Sequence, residues 1–203
     1  MKIVLATHNP GKIVELQKTL EVPGIEYIPV SDFDVKAPKE TGNSFIENAI
    51  LKMEDACGFT GYPAIADDSG LEIEALDGFP GIQSARCAGP NASDEDRAQY
   101  ILEAMRGRTN RKARFMCAMA FGYIKGSVNI CSHTLGTVDG EILDSPMGTP
   151  RPGVPYDSIF FHPHLKKTFA QMTEWEKNIV SHRAIACRKM KMYLYNFVKQ
   201  LRT

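Results

Sequence analysis

Apolar residues open the chain in one unbroken run, Ile3-Val4-Leu5-Ala6, and then change period. After His8-Asn9-Pro10-Gly11 they return at Ile13, Leu16 and Leu20. The run predicts a short buried strand over 2–6 and the wider spacing a helix over 11–20, joined by a strand-to-helix turn. A second helical face follows in ETGNSFIENAILKMEDAC, where Ile46, Ala49, Ile50 and Met53 recur at helical spacing. Ser44 and Glu47 stand in capping-box register ahead of it, which places a helix at about 45–57. PAIADD reads as the next strand and LEIEAL alternates like a half-buried one. SDEDRAQYILEAMRG predicts a third helix with Ser93 as N-cap, an acidic first turn and Gly107 as its stop. ARFMCAMAFGYI and SVNICSHTLGTV are strand-like and meet at Lys125-Gly126, a plausible hairpin, with GEIL continuing the same sheet. MGTPRPGVPY is a Pro/Gly loop leading into a strand at DSIFF. The last helix, capped by Ser181, buries Ala186, Met190, Tyr193, Leu194, Phe197 and Leu201. Strands that alternate with helices predict the α/β class with one mixed β-sheet.

Length and composition narrow this picture. With 203 residues, 43% hydrophobic and 24% charged, the chain has the make-up of a soluble globular protein. No apolar run approaches the roughly 20 residues that span a bilayer, so no membrane partner is expected. The opening MKIVLATHNPGK is too short in its apolar part for a signal peptide. Five cysteines, widely spaced and without a CxxC pair, predict reduced thiols and a cytoplasmic location rather than a disulfide framework or zinc site. A formal net charge of zero argues against binding nucleic acid through its phosphates. The charge is unevenly spread: residues 1–150 hold 14 Lys/Arg and 21 Asp/Glu, and residues 151–203 hold 10 and 3. Such a division could set a metal-binding wall opposite an anion-binding one, or be chance on solvated faces.

Four stretches could carry chemistry. Thr7 to Lys12 turn from strand to helix, where backbone N–H groups and the helix dipole attract phosphate, and Lys12 adds a cation. The turn lacks the Walker A glycine pattern and, alone, also fits an ordinary capped helix start. Glu40 precedes the second helix, and Asn48 and Lys52 share one of its faces; alone these fit a solvated polar face. Asp67 and Asp68, adjacent carboxylates at the end of an apolar strand, require a compensating positive charge. Oxygen ligands without nearby His or Cys suit a hard cation such as Mg²⁺, and a polar turn with Asp67 capping a helix is the alternative. Finally, the basic tail EKNIVSHRAIACRK holds Lys177, His182 and Arg183, the last two in the first turn of the last helix, where the dipole disfavours cations unless an anion or carbonyl-rich ligand is near. Tyr156 and Asp157 upstream could supply a stacking ring and a hydrogen-bond acceptor.

LATHNPGKIVEL, ETGNSFIENAILK, ADDSGLEIEALDGFPGIQSAR and EKNIVSHR resemble, in order and spacing, the inosine triphosphate pyrophosphatase family over nearly the whole chain. The resemblance implies a single domain of that type over residues 1–203, two-lobed around an elongated mixed sheet flanked by helices, and usually a homodimer. It implies Mg²⁺-dependent hydrolysis of ITP, dITP and XTP to monophosphate and pyrophosphate, with Mn²⁺ a possible substitute ion. Carried over, Thr7, His8, Asn9, Pro10, Gly11 and Lys12 look like the triphosphate turn, and Glu40 and Asp68 like metal ligands. Asp68 also looks like the proton acceptor, Lys52 like a catalytic phosphate contact and Ser69 like a substrate contact. Val154, Pro155, Tyr156, Asp157, Lys177, His182 and Arg183 look like the nucleotide side. His182 and Arg183, aimed at the 6-oxo group of hypoxanthine or xanthine, would leave adenine's amino group unmatched, a mismatch that can cost as much as about 10⁴-fold. GVPYDS departs from the family's GFGYDP, so Val154 replaces an aromatic and Pro155 a glycine, and SHRA departs from SHRG. A related class on a similar fold cleaves modified pyrimidine triphosphates, and a non-catalytic nucleotide-binding module is the other alternative. Two carboxylates that would repel phosphate without a metal count against the latter.

Overall fold

The computed structural model describes residues 1–126 and 128–200. Leu201 and Ser127, placed above in the last helix and in a strand, lie outside them. In chain order the elements are β1 (Lys2–Leu5), α1 (Pro10–Thr19), β2 (Glu26–Pro29), α2 (Phe45–Thr60), β3 (Ala64–Ile73), α3 (Asp94–Ala104), β4 (Lys112–Lys125), β5 (Val128–Ile142), β6 (Phe160–His162), β7 (Lys167–Thr168), α4 (Glu174–Val180) and α5 (His182–Gln200). The strands form one sheet in the order β2-β1-β3-β4-β5-β6-β7. It is mixed: β1 runs parallel to β2 and β3, whereas β6 is antiparallel to β5 and β7.

By contacts the chain divides into two compact units, one of residues 1–68, 117–136 and 183–203, the other of 69–116 and 137–182. In the first, alternate strand residues Ile3, Leu5, Ile65, Cys117, Met119 and Phe121 pack with Leu16 and Leu20 of α1 and with Ala186, Cys187, Met190 and Leu194 of α5. These helices therefore cover one sheet face. The intervening Val4, Ala64, Ala66, Ala118 and Ala120 are buried too. Their small side chains let α2 approach the other face, and its Cys57 Sγ reaches the Gly122 carbonyl of β4 at 3.3 Å. In the second unit, Phe115, Phe160 and Phe169 form an aromatic cluster with ring centroids 4.5 to 5.5 Å apart. Each such ring, fully buried, contributes about 1.5–3 kcal/mol.

Helix starts follow their caps. Asn9 caps α1 ahead of Pro10, Ser44 caps α2, Ser93 and Asp96 make a capping box on α3, and Thr173 and Glu176 make one on α4. Gly61, at φ 70°, ends α2 where a residue with a Cβ would be strained. Ser181, expected to cap the last helix, stands directly before α5 with the extended backbone of an N-cap residue, and it also closes α4.

Several elements differ from their expected bounds. PAIADD and LEIEAL are not two strands: β3 is continuous through Asp67, Asp68, Ser69 and Gly70 to Ile73, and 74–76 turn into a 3₁₀ helix. GEIL is largely the end of β5. DSIFF contributes only its last two residues to β6, because Tyr156–Ile159 are held in a turn in which the Tyr156 carbonyl accepts from both Ile159 N–H and Phe160 N–H.

Candidate active site

The pleat decides what happens to the adjacent carboxylates. Successive residues of a strand point to opposite faces, so Asp67 follows Ile65 to the face of α1 and α5 while Asp68 turns toward α2. Both lie in mid-strand rather than at a strand end, and each meets its own cations.

Asp67 is buried, 1% exposed, and its Oδ2 accepts from Lys12 Nζ at 2.8 Å with Arg183 Nε at 3.5 Å. Arg183 is held from its other side by Glu15 Oε2, 2.6 Å from Nη1. Burial favours the neutral form of Asp67, yet Lys12, Arg183 and Lys52 outweigh it and hold the carboxyl well below the usual range. Burial likewise opposes charge on Arg183, and Glu15 and Asp67 reverse that effect. The compensating charge expected of a ligand is, for Asp67, supplied by the protein itself.

Asp68 has a different setting. Its Oδ1 accepts from Lys52 Nζ at 2.8 Å and its Oδ2 from Asn48 Nδ2 at 3.3 Å. Lys52 Nζ also donates to Glu40 Oε1 at 3.0 Å, so one ammonium joins the two carboxylates. Asn48 and Lys52, one helical turn apart on α2, reach the same carboxylate as their spacing requires. Burial pushes the Asp68 carboxyl above its ordinary value despite Lys52, with Glu40 adding to the rise. For Lys52, burial favours loss of the proton, but Asp68, Asp67 and Glu40 raise its pKa overall. Glu40 and Asp68 so bring hard oxygen donors together around one ammonium, a donor set that fits a divalent cation bound by one or two carboxylates and completed by phosphate and water. Among the described residues, no group of three or more His, Cys, Asp or Glu is assembled to hold an ion alone.

The turn before α1 is ordered from within. Asn9 Oδ1 accepts from the N–H groups of Gly11 at 2.9 Å and Lys12 at 3.2 Å, the amides expected to be open to phosphate. Thr7 Oγ1 accepts from Asn9 N at 3.3 Å, and His8 Nε2 lies 2.8 Å from the Val35 carbonyl. Pro10 takes the first helical position, where its missing N–H costs nothing. The first unit thus gathers Thr7–Lys12, Glu40, Lys52, Asp68 and Arg183.

The second unit holds Ser69, Val154, Pro155, Tyr156, Asp157, Lys177 and His182. Tyr156 is buried, and its hydroxyl donates to the Ser84 carbonyl at 2.5 Å and lies 3.1 Å from Cys87 Sγ. The phenol thereby ties the Pro/Gly loop to the turn at 81–87. Asp94 Oδ2 ties it a second time by accepting from Gly153 N at 2.6 Å. Asp157 and Lys177, both buried, form an ion pair, and Lys177 Nζ sits 5.8 Å above the Phe169 ring. The His182 ring stacks on Phe115 with centroids 4.6 Å apart and planes within 8°. Ser69 is half-buried in β3, and Val154 and Pro155 are half-buried in the loop.

Sequence reasoning did not assign Glu15, whose position one turn beyond Lys12 on α1 was the available signal. It also singled out Asn48 without giving it a part.

The sequence matches the Ham1 family over residues 3–193. The dITP/XTP pyrophosphatase of Exiguobacterium sp. is 44% identical over 200 residues, covering 98% of this chain and 100% of its own length. That of Thermus thermophilus is 44% identical over 192 residues, covering 94% and 90%. Among solved structures, a HAM1 protein from Coxiella burnetii superposes with a TM-score of 0.89 at 39% identity, and the Staphylococcus aureus Ham1 protein with 0.86 at 39%. Each covers 97% of this chain and 99% of its own.

Proposed function

The chain belongs to the Ham1 family, and from that premise we propose that it hydrolyses non-standard purine nucleoside triphosphates, ITP, dITP and XTP, to the monophosphate and pyrophosphate. The observation that carries this reading is the Glu40–Lys52–Asp68 group, in which one ammonium joins two carboxylates of separate elements. A Mg²⁺ ion held by Glu40 and Asp68, with Mn²⁺ a substitute, would neutralise phosphate charge there. Water attacks the α-phosphorus, its proton passes to Asp68, and the bond from the α-phosphorus to the bridging oxygen breaks to release pyrophosphate. Lys52 and Lys12 supply positive charge to the triphosphate, which the reading assigns to Thr7–Lys12, with Ser69 as a further contact. The base is assigned to Val154–Asp157, Lys177, His182 and Arg183. Positioning and charge stabilisation account for most of the acceleration in such chemistry.

The proposal extends to a homodimer working in the cytoplasm, without membrane or nucleic-acid partners. All five cysteines are free thiols. No described helix is long and apolar enough to cross a membrane.

Phosphorus NMR of the protein with ITP and Mg²⁺, then with ATP, tests the reaction. The expected result is IMP and pyrophosphate from ITP, with ATP largely intact and turnover abolished by EDTA. Orthophosphate and a diphosphate would place attack at the γ-phosphorus and refute the mechanism. Equal efficiency with ATP would refute the base preference.

A further inference from the structure

We propose that Asn48 is a positioning residue for Asp68, clamping the proton-accepting carboxylate to the loop that carries Glu40. The inference rests on the reading of Asp68 given above and deepens it.

Asn48 is wholly buried, 0% exposed, on the polar side of α2. A buried primary amide is costly unless both its ends are matched. Here the surroundings dictate which end goes where. Gly42 N–H, a donor only, lies 2.9 Å from Oδ1, and Asp68 Oδ2, an acceptor, lies 3.3 Å from Nδ2. The amide therefore cannot turn over, and it links the backbone two residues after Glu40 to one oxygen of Asp68 while Lys52 takes the other. With both oxygens held, the plane of the carboxylate is fixed, and each oxygen keeps a second lone pair for chemistry.

The approach from the loop is equally constrained. A Cβ on Gly42 would stand 2.8 Å from Asn48 Oδ1 and 2.7 Å from Glu47 Cβ, so only glycine lets the loop close onto the amide. Asp in place of Asn48 would keep the acceptor for Gly42 but set a second carboxylate against Asp68, and Leu would leave the Gly42 N–H unmatched. Asn alone serves donor and acceptor at this distance. Asn48 touches neither the water nor the phosphate in this account; it acts through Asp68.

The test compares the wild-type chain, Asn48→Ala, Gly42→Ala, Asp68→Asn and the double variant Asn48→Ala/Asp68→Asn in pyrophosphate release from ITP with Mg²⁺. Rates are taken per folded molecule, with folding followed by circular dichroism. Misplacement of a reacting group by an ångström can cost about 10²-fold. The expected result is a fall in kcat of about that size for Asn48→Ala with KM nearly unchanged, since the loss is confined to the chemical step. Gly42→Ala, which disturbs the same amide from the loop side, should move kcat in the same direction and stands in if Asn48→Ala fails to fold. In the Asp68→Asn background Asn48→Ala should have little further effect, because there is no longer a proton acceptor to position. A residue that merely supported the fold would cost the same factor in both backgrounds, and that result would overturn the proposal. Unchanged kcat in Asn48→Ala or, should that variant not fold, in Gly42→Ala, with an active wild type, would overturn it alone. An inactive wild type would overturn the functional reading and this inference together.

Discussion

Asp68→Asn will lower kcat for ITP by about 10³-fold, within the range that removal of a general base produces. Asn retains the size of Asp and an amide oxygen able to accept from Lys52, the bond now made at 2.8 Å. What it lacks is basicity: an amide does not take the proton of attacking water at neutral pH. Loss of a carboxylate also releases Lys52 to Glu40 alone and weakens the hold on a divalent cation, so the concentration of Mg²⁺ needed for half-maximal rate should rise. The fold should persist, because Asp68 sits on the polar side of β3 away from the Ile3–Phe121–Leu194 cluster. The check is steady-state pyrophosphate release at saturating ITP and Mg²⁺, with thermal unfolding of both proteins alongside. Turnover within a few-fold of wild type in a folded variant would remove Asp68 from the role of proton acceptor.

The α/β class with one mixed sheet was legible because the hydrophobic period changes sharply, from the run Ile3–Ala6 to the spacing Ile13, Leu16, Leu20. What escaped were short elements without a period. β2 has four residues, EYIP, none fully buried, and ends in proline, so neither alternation nor a β-branched run marks it. β7 has two residues. The helix α4 did carry a signal, a capping box at Thr173 and Glu176, but its seven residues are too few to show an apolar face, and exposed Trp175 and Ile179 obscure it. β3 was divided in two because the adjacent acids looked like the end of one apolar run, PAIADD, and the alternation resumed only at LEIEAL. Only the contacts of each carboxylate show how a strand carries both.

The chemistry was more legible as residue types than as pairings. That two adjacent aspartates need positive charge follows from electrostatics, and Lys12, Lys52 and Arg183 were each singled out for other reasons. Pairing Lys12 and Arg183 with Asp67, and Lys52 with Asp68, depends on which face each carboxylate takes, and acids placed at the end of a strand have no assigned face. Tyr156 illustrates the same limit. A tyrosine in a Pro/Gly loop suggests a ring offered to a base, yet its hydroxyl is anchored 2.5 Å from the Ser84 carbonyl, a partner 72 residues away that no local pattern announces.

The pleat that separates the aspartates also separates their fates, and Asp67 is where the stability consequence is largest. Asp67→Ala will destabilise the protein by about 3–5 kcal/mol at neutral pH, the scale for removing one partner of a buried ion pair. Lys12 and Arg183 would be left facing each other across a cavity, with Arg183 retaining its pair with Glu15. The pH dependence has a definite sign. The folded-state pKa of Asp67 lies well below its ordinary value of 3.8, because Lys12, Arg183 and Lys52 overcome the effect of burial. The unfolded chain therefore binds this proton first as acid is added. The stabilisation is complete above the unfolded pKa and is lost progressively as pH falls through the folded one. Urea unfolding of wild type and Asp67→Ala should give a large difference at pH 7 that narrows below about pH 4, as expected for a carboxylate whose proton is taken up only on unfolding. A difference independent of pH across that range would mean that lost packing, not the charge of Asp67, accounts for the cost. Asp67 thus stays ionised and holds α1 and α5 in place, whereas burial pushes the Asp68 carboxyl, on the opposite face, above its ordinary value.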